Sequence, residues 1–201
     1  MEAARRYGAY NTKIALRGIQ HRLRDVSNPY LLDGFTELTM QDPRSVERLR
    51  HGDIATLKRL FKANYAKLYP LAYRLTKNRD AAGVVIRQTF RRLWEGRDDL
   101  DVFEPLDLRL VHDTYAEAMA YREENGVTGF AIDPERVKEN GSLAETEDID
   151  DDDRLNYVLF VVDGYSFREL ARARESAIED VQMSVGRALT ALKERQESSL
   201  N

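Results

Sequence analysis

No cysteine occurs in the chain. Disulfides, thiolate zinc sites, iron–sulfur clusters and cysteine nucleophiles are therefore excluded. The three histidines, His21, His51 and His112, stand apart, and none is followed three or four residues on by a second histidine. His112 has Asp113 beside it, but sequence neighbours on a helix are expected to point to different faces. Neither a glycine-rich phosphate loop nor a nucleophile elbow is present. The acids of Asp148–Asp153 lack the glycine and terminal glutamate of a calcium loop. The expectation is a protein that is not an enzyme, with no metal and no cofactor. Long hydrophobic runs are missing too. The longest, Tyr157–Val162, is far short of the ~18 residues a membrane span requires. The opening MEAARRYGAYNTK has no apolar stretch of the secretory kind. A cytoplasmic location without a membrane partner is expected. Alternating apolar patterns bounded by turns are scarce while helical spacing is common, so the expected fold class is all-α.

The net charge is −4, and it is segregated. Residues 1–50 carry +3, residues 51–100 carry +6, residues 101–150 carry −10 and residues 151–201 carry −3. A basic stretch of this size suits a polyanion or an acidic protein. Solvated helix faces that drift in charge are the plainer account.

Four segments are expected. Residues 1–50 form a partly helical extension, with one helix over Thr12–Val26 ended by Asn28-Pro29, and a short stretch after Asp42-Pro43. Residues 51–125 form a three-helix bundle. Its first helix spans 53–76, capped by Asp53, with a stripe from Ile54 to Leu75 and Pro70 as a possible kink. Its second spans about 81–94 and its third about 105–122. Residues 126–153 are punctuated by glycine and proline, and 145–153 hold seven acids in nine residues, so a flexible acidic tether is expected. In residues 154–201, Ser166–Glu169 and Ser176–Glu179 are two capping boxes ten residues apart. They frame a short helix, a tight turn and a longer helix with a stripe from Ile178 to Leu192, which is the helix-turn-helix plan.

At these residues the chain resembles a bacterial RNA polymerase sigma factor of the extracytoplasmic-function (ECF) group. Asp163-Gly164-Tyr165-Ser166-Phe167-Arg168-Glu169-Leu170-Ala171 is similar to the family's EGLSYEEIA segment. Val181, Arg187-Ala188 and Leu192 continue that match through region 4. Upstream, Leu68-Tyr69 and Leu71 to Asn78 are similar to the family's LYRLAYRLTGN, and Phe90-Arg91-Arg92-Leu93-Trp94 follows the spacing of region 2. The resemblance covers about 52–122 and 154–196.

The resemblance implies two small helical domains that share core RNA polymerase and promoter DNA, with an anti-sigma factor as a further partner. Region 2 would dock on the polymerase and read the minus-ten element; region 4 would read the minus-thirty-five element through its helix-turn-helix. On that footing Arg168, Arg172, Arg174 and Arg187 are candidate phosphate ligands, and Gln182 and Ser184 candidate base readers. Arg109, Tyr115 and Arg122 are the candidates on the third helix for the minus-ten strand. Val84, Arg87, Gln88, Arg91 and Arg92 are the candidates for polymerase or another partner, and Arg97 adds to that positive cluster. Phe90 and Trp94, four residues apart on an apolar face, are expected to pack in the core.

The chain also departs from the family. Where the family has AEDLVQEVF, this sequence has Ala82 to Phe90, with Gly83 and Val84 for the acidic pair and Arg87 for the glutamine. The recognition helix carries Glu179 and Asp180, and Glu175 occupies a turn position where glycine is favoured, at a cost of about 1 kcal/mol if left-handed. These departures motivate a second reading, a sigma-like decoy or adaptor that binds an anti-sigma regulator without binding DNA. A repressor using the helix-turn-helix alone would need a dimer interface, and none is visible.

Overall fold

The structure is a computed structural model that describes residues 43–132 and 149–199. The expected helix at Thr12–Val26 and residues 133–148 of the expected tether lie outside the described residues. Among the described residues every regular element is helical and no strand occurs. In chain order the α-helices are α1 (Pro43–Arg50), α2 (Ile54–Thr76), α3 (Arg79–Glu95), α4 (Leu106–Asn125), α5 (Asp151–Tyr157), α6 (Phe167–Arg174) and α7 (Ile178–Ser199). A 3-10 turn at Arg97–Asp99 follows α3, and a π-helical turn at Val158–Val162 continues α5. The residues gather into two compact units. The described part of one is 43–131 with Tyr165–Val181; the described part of the other is 132, 149–164 and 182–199.

In the first unit, local capping fixes where each helix starts. Asp53 accepts from the amides of Ala55 (2.9 Å) and Thr56 (3.3 Å) and from the Thr56 hydroxyl (2.7 Å) to open α2. The Thr56 hydroxyl, aided by those amides, holds the Asp53 carboxyl below its ordinary value. Pro70 sits inside α2 without ending it; it removes only the donor that the Ala66 carbonyl would have used. Lys77 closes α2 in the left-handed conformation, and Asn78 immediately caps α3 through the amides of Asp80 and Ala81. Gly126 ends α4 at φ +61°, where a side chain would be strained.

Helices α2, α3 and α4 pack on one another pairwise. Leu60, Leu68, Leu71, Ile86, Leu110 and Val111 are all but fully buried between them. Two buried threonines satisfy their hydroxyls on carbonyls four residues back, Thr76 on Ala72 (2.8 Å) and Thr89 on Val85 (3.0 Å). Phe90 is buried edge-on against Phe61, with ring centres 5.1 Å apart. Trp94 is only half-buried, with the Arg97 guanidinium 4.8 Å over its ring. Helix α1 buries Val46 and Leu49, and Arg50 donates twice to the Asp98 carbonyl (3.1 and 3.2 Å).

The stretch after α4 begins as a strap on this bundle. Ala131 exchanges backbone and side-chain hydrogen bonds with buried Arg74 (2.8 and 3.0 Å), and Phe130 is buried. Lys77 donates to the Thr128 carbonyl (3.2 Å). Arg74 and Lys77 therefore satisfy carbonyls that a free tether would leave to water.

In the second unit the acidic run becomes structure at its end. Asp150 caps α5 through the amide of Asp152 (2.9 Å), and acids in a first helical turn are favoured by the helix dipole. Asp153 is buried and accepts from the Ser184 hydroxyl (2.7 Å) and twice from Arg187 (2.6 and 2.7 Å). Leu155, Val158, Leu159 and Phe160 supply the apolar surface of this unit, with Val185 and Ala188 from α7. Burial raises the Tyr157 hydroxyl above its ordinary value.

Candidate nucleic-acid and partner interface

The residues expected to contact DNA divide into those free to do so and those already engaged. Arg168 and Gln182 are exposed, and among the described residues Arg168 has no ion pair. Tyr115 and Arg174 are half-buried and have partners of their own. The others are held by neighbours with definite geometry.

Arg122, expected on the minus-ten strand, donates instead to the carbonyls of Leu75 (3.0 Å) and Gly129. Its guanidinium, half-buried, fastens the strap to the end of α2. Arg109 is gripped by Glu104 (3.0 Å) and Asp113 (2.9 Å). Those hydrogen bonds raise the guanidinium above its ordinary value although burial opposes them. Arg172, on α6, donates to the other oxygen of Glu104 (2.6 Å). One glutamate thus occupies two arginines that were expected to meet DNA.

The same cluster continues through His112. Its Nδ1 lies 3.0 Å from Asp113 and its Nε2 2.9 Å from Glu175. The adjacent pair His112–Asp113 therefore does meet, contrary to the expectation of different faces. Glu175 is left-handed, at φ 52° and ψ 41°, as the turn position predicted. Lys67 and Glu169 form a further ion pair, and the Tyr165 hydroxyl donates to the Lys67 carbonyl. Glu169 also closes the Ser166 capping box, so one carboxylate both starts α6 and ties it to α2.

Ser184 corrects the expectation most sharply. It is buried, donating to Asp153 and accepting from Asn156 (2.8 Å), and does not face outward as a base reader. Arg187 is exposed but engaged with Asp153, whose carboxylate raises the guanidinium above its ordinary value. The outward residues at the start of α7 are Glu179, Asp180, Gln182 and Met183. Serine and arginine three residues apart place Ser184 and Arg187 on one face of α7, but nothing local in the sequence points to Asp153, 31 residues from Ser184.

The partner face on α3 is arranged differently. Val84 is 52% exposed, Gln88 is half-buried, and Arg87 is exposed with no ion pair among the described residues. Arg91 pairs with Glu95 one turn on (2.7 Å), and Arg92 lies 2.5 Å from the buried Glu117. Arg87 is therefore the cation of this set most open to a partner. Among the described residues no group of acidic or histidine side chains is placed to hold a metal ion, and no helix is long and apolar enough to cross a membrane.

These helices share an all-α fold with proteins of known structure. One such structure is that of CnrH in complex with the cytosolic domain of CnrY, with a TM-score of 0.59. The likeness covers 79% of this chain and 98% of that one at 19% identity, so it is a likeness of fold. No family model and no curated protein matches the sequence.

Proposed function

We propose that the chain is a divergent sigma factor that directs RNA polymerase to promoters. The observation that carries this reading is the all-α fold shared with nearly the whole of CnrH. The region 2 and region 4 motifs fall on helices α2, α3, α6 and α7 in the matching order. On this reading residues 51–125 act as region 2, residues 154–201 act as region 4 and residues 126–153 connect them. The protein works in the cytoplasm, transfers no bonds and acts by positioning. Arg168 and Gln182 remain its DNA candidates in region 4, and Val84 and Arg87 its polymerase candidates. Transcription in vitro with purified core polymerase and genomic fragments tests the proposal. Promoter-dependent initiation is expected, and its absence on every fragment overturns it.

A second reading rests on a specific observation. Arg109, Arg122, Arg172, Ser184 and Arg187 are all engaged by other groups of the protein. A sigma-like adaptor that binds an anti-sigma-type regulator would need none of them on DNA, and CnrH itself was solved with the cytosolic domain of CnrY. A pull-down from the host separates the two. Polymerase subunits in the eluate favour the first reading, and a small regulator alone favours the second.

A further inference from the structure

Charged side chains close a ring between α4 and α6. Arg172 of α6 donates to Glu104 (2.6 Å), and the other oxygen of Glu104 accepts from Arg109 (3.0 Å). Arg109 also donates to Asp113 (2.9 Å), whose second oxygen lies 3.0 Å from His112 Nδ1. His112 Nε2 lies 2.9 Å from Glu175, the cap of the same α6 that carries Arg172. The signs alternate all the way round. Histidine is the member whose charge ordinarily changes between about pH 5 and 8.

Its surroundings favour one form. Each ring nitrogen faces a carboxylate oxygen, and a carboxylate only accepts. A neutral imidazole has a single N–H, so it satisfies one carboxylate and sets a lone pair against the other. The imidazolium donates to both. With it, Arg109, Arg172 and His112 balance Glu104, Asp113 and Glu175; without it, two cations face three anions. The Asp113 side chain is 17% exposed and the Glu175 side chain 74%, so the outer bond to Glu175 is the one that gives way. The other charges on the elements packed against α4 do not replace the histidine. Lys67 of α2 is paired with Glu169, Arg74 is bonded to the Ala131 carbonyl, and Arg92 of α3 is paired with Glu117 further along α4. On α6, Arg174 has partners of its own, and Arg168 is exposed without an ion pair among the described residues.

We infer that His112 is a pH-sensitive pin: charged, it holds the Glu175 turn at the end of α6 against α4, and neutral, it lets that turn go. The first helix of the helix-turn-helix plan is thereby held to the bundle more firmly in acid than in base. The sign follows from linkage. A histidine that gains anionic partners on folding contributes stability that is fully present at low pH and lost as pH rises through its titration. Nothing in this pin depends on the chain being a sigma factor.

Amide hydrogen exchange of the full chain by NMR, at about pH 6 and pH 8 and corrected for the intrinsic rate, is the test. The reporters are the amides of Glu175 and Ser176, which bond to the carbonyls of Arg172 and Ala171. Their protection relative to the amides of α3 should fall roughly twofold to fivefold at the higher pH, the weight of one partly exposed ion pair. His112→Gln should abolish that fall. Glu175→Gln should flatten it too, because an amide can donate to the neutral ring or accept from the charged one. Far-UV circular dichroism checks that each variant is folded. Equal protection at both pH values in the parent, or greater protection at pH 8, overturns the inference. So does a parent-like fall in folded His112→Gln. If that variant fails to fold, the exposed Glu175→Gln decides, and a parent-like fall there overturns the pin.

Discussion

A hydroxyl on an amphipathic helix looks alike in sequence whether it faces water or a carboxylate. Ser184 faces the buried Asp153, with Asn156 donating to it from behind. Ser184→Ala would strand that amide and weaken the hold on a buried charge. The expected loss is about 1–3 kcal/mol in urea unfolding, because an unsatisfied buried polar group costs its desolvation. An unchanged unfolding midpoint would return Ser184 to the surface. Asp53 gives a second test. Its carboxyl is held below the ordinary 3.8 first by the Thr56 hydroxyl. A depressed acid contributes stability that is present above its unfolded value and lost as pH falls through the folded one. Asp53→Asn keeps an N-cap but removes the titration. The variant should lose less stability than the parent on going from about pH 5 to pH 2, as measured by thermal melts.

Elements are joined here by a few side chains that serve two masters. Glu104 precedes α4 and binds Arg109 of that helix and Arg172 of α6. Glu104→Gln would release Arg172 to solvent while changing little volume, and Arg109 would keep its hydrogen bond to Asp113. The variant should bind duplex DNA more tightly and with a steeper salt dependence, by about one further phosphate contact. Salt-titrated anisotropy measures it, and an unchanged slope would mean Arg172 lies out of reach of DNA. Caps explain why the elements themselves were legible. Asp53, Asn78, Ser166 and Gly126 stand where their chemistry ends or starts a helix. Helices α3 and α4 nevertheless run a few residues beyond the apolar stripe that revealed them, since Asn78 and Gly126, not the stripe, mark their ends.

At the scale of the whole molecule, the proposed function turns on how a basic stretch meets its partner. Where the sigma factors that the sequence resembles carry an acidic pair, this chain has Gly83 and Val84, on a face of α3 that is open to solvent at Val84. A Cβ at Gly83 would meet only the tip of Arg87, at 3.4 Å, so the site accepts a side chain. Restoring acids with Gly83→Glu and Val84→Asp should therefore leave the fold intact and raise initiation with core polymerase. Transcript yield at limiting protein reads the effect, and a folded double variant with lower yield would assign this face to another partner. The sequence alone determined the all-α class and the helix starts set by Asp53 and Ser166, because caps and apolar spacing act within a few residues. Only tertiary structure decided which charged and polar groups are spoken for. Arg122 meets a carbonyl 47 residues away and Ser184 a carboxylate 31 residues away. No local pattern encodes such distances; the packing of helices brings those groups together, and burial then forces each to find its partner.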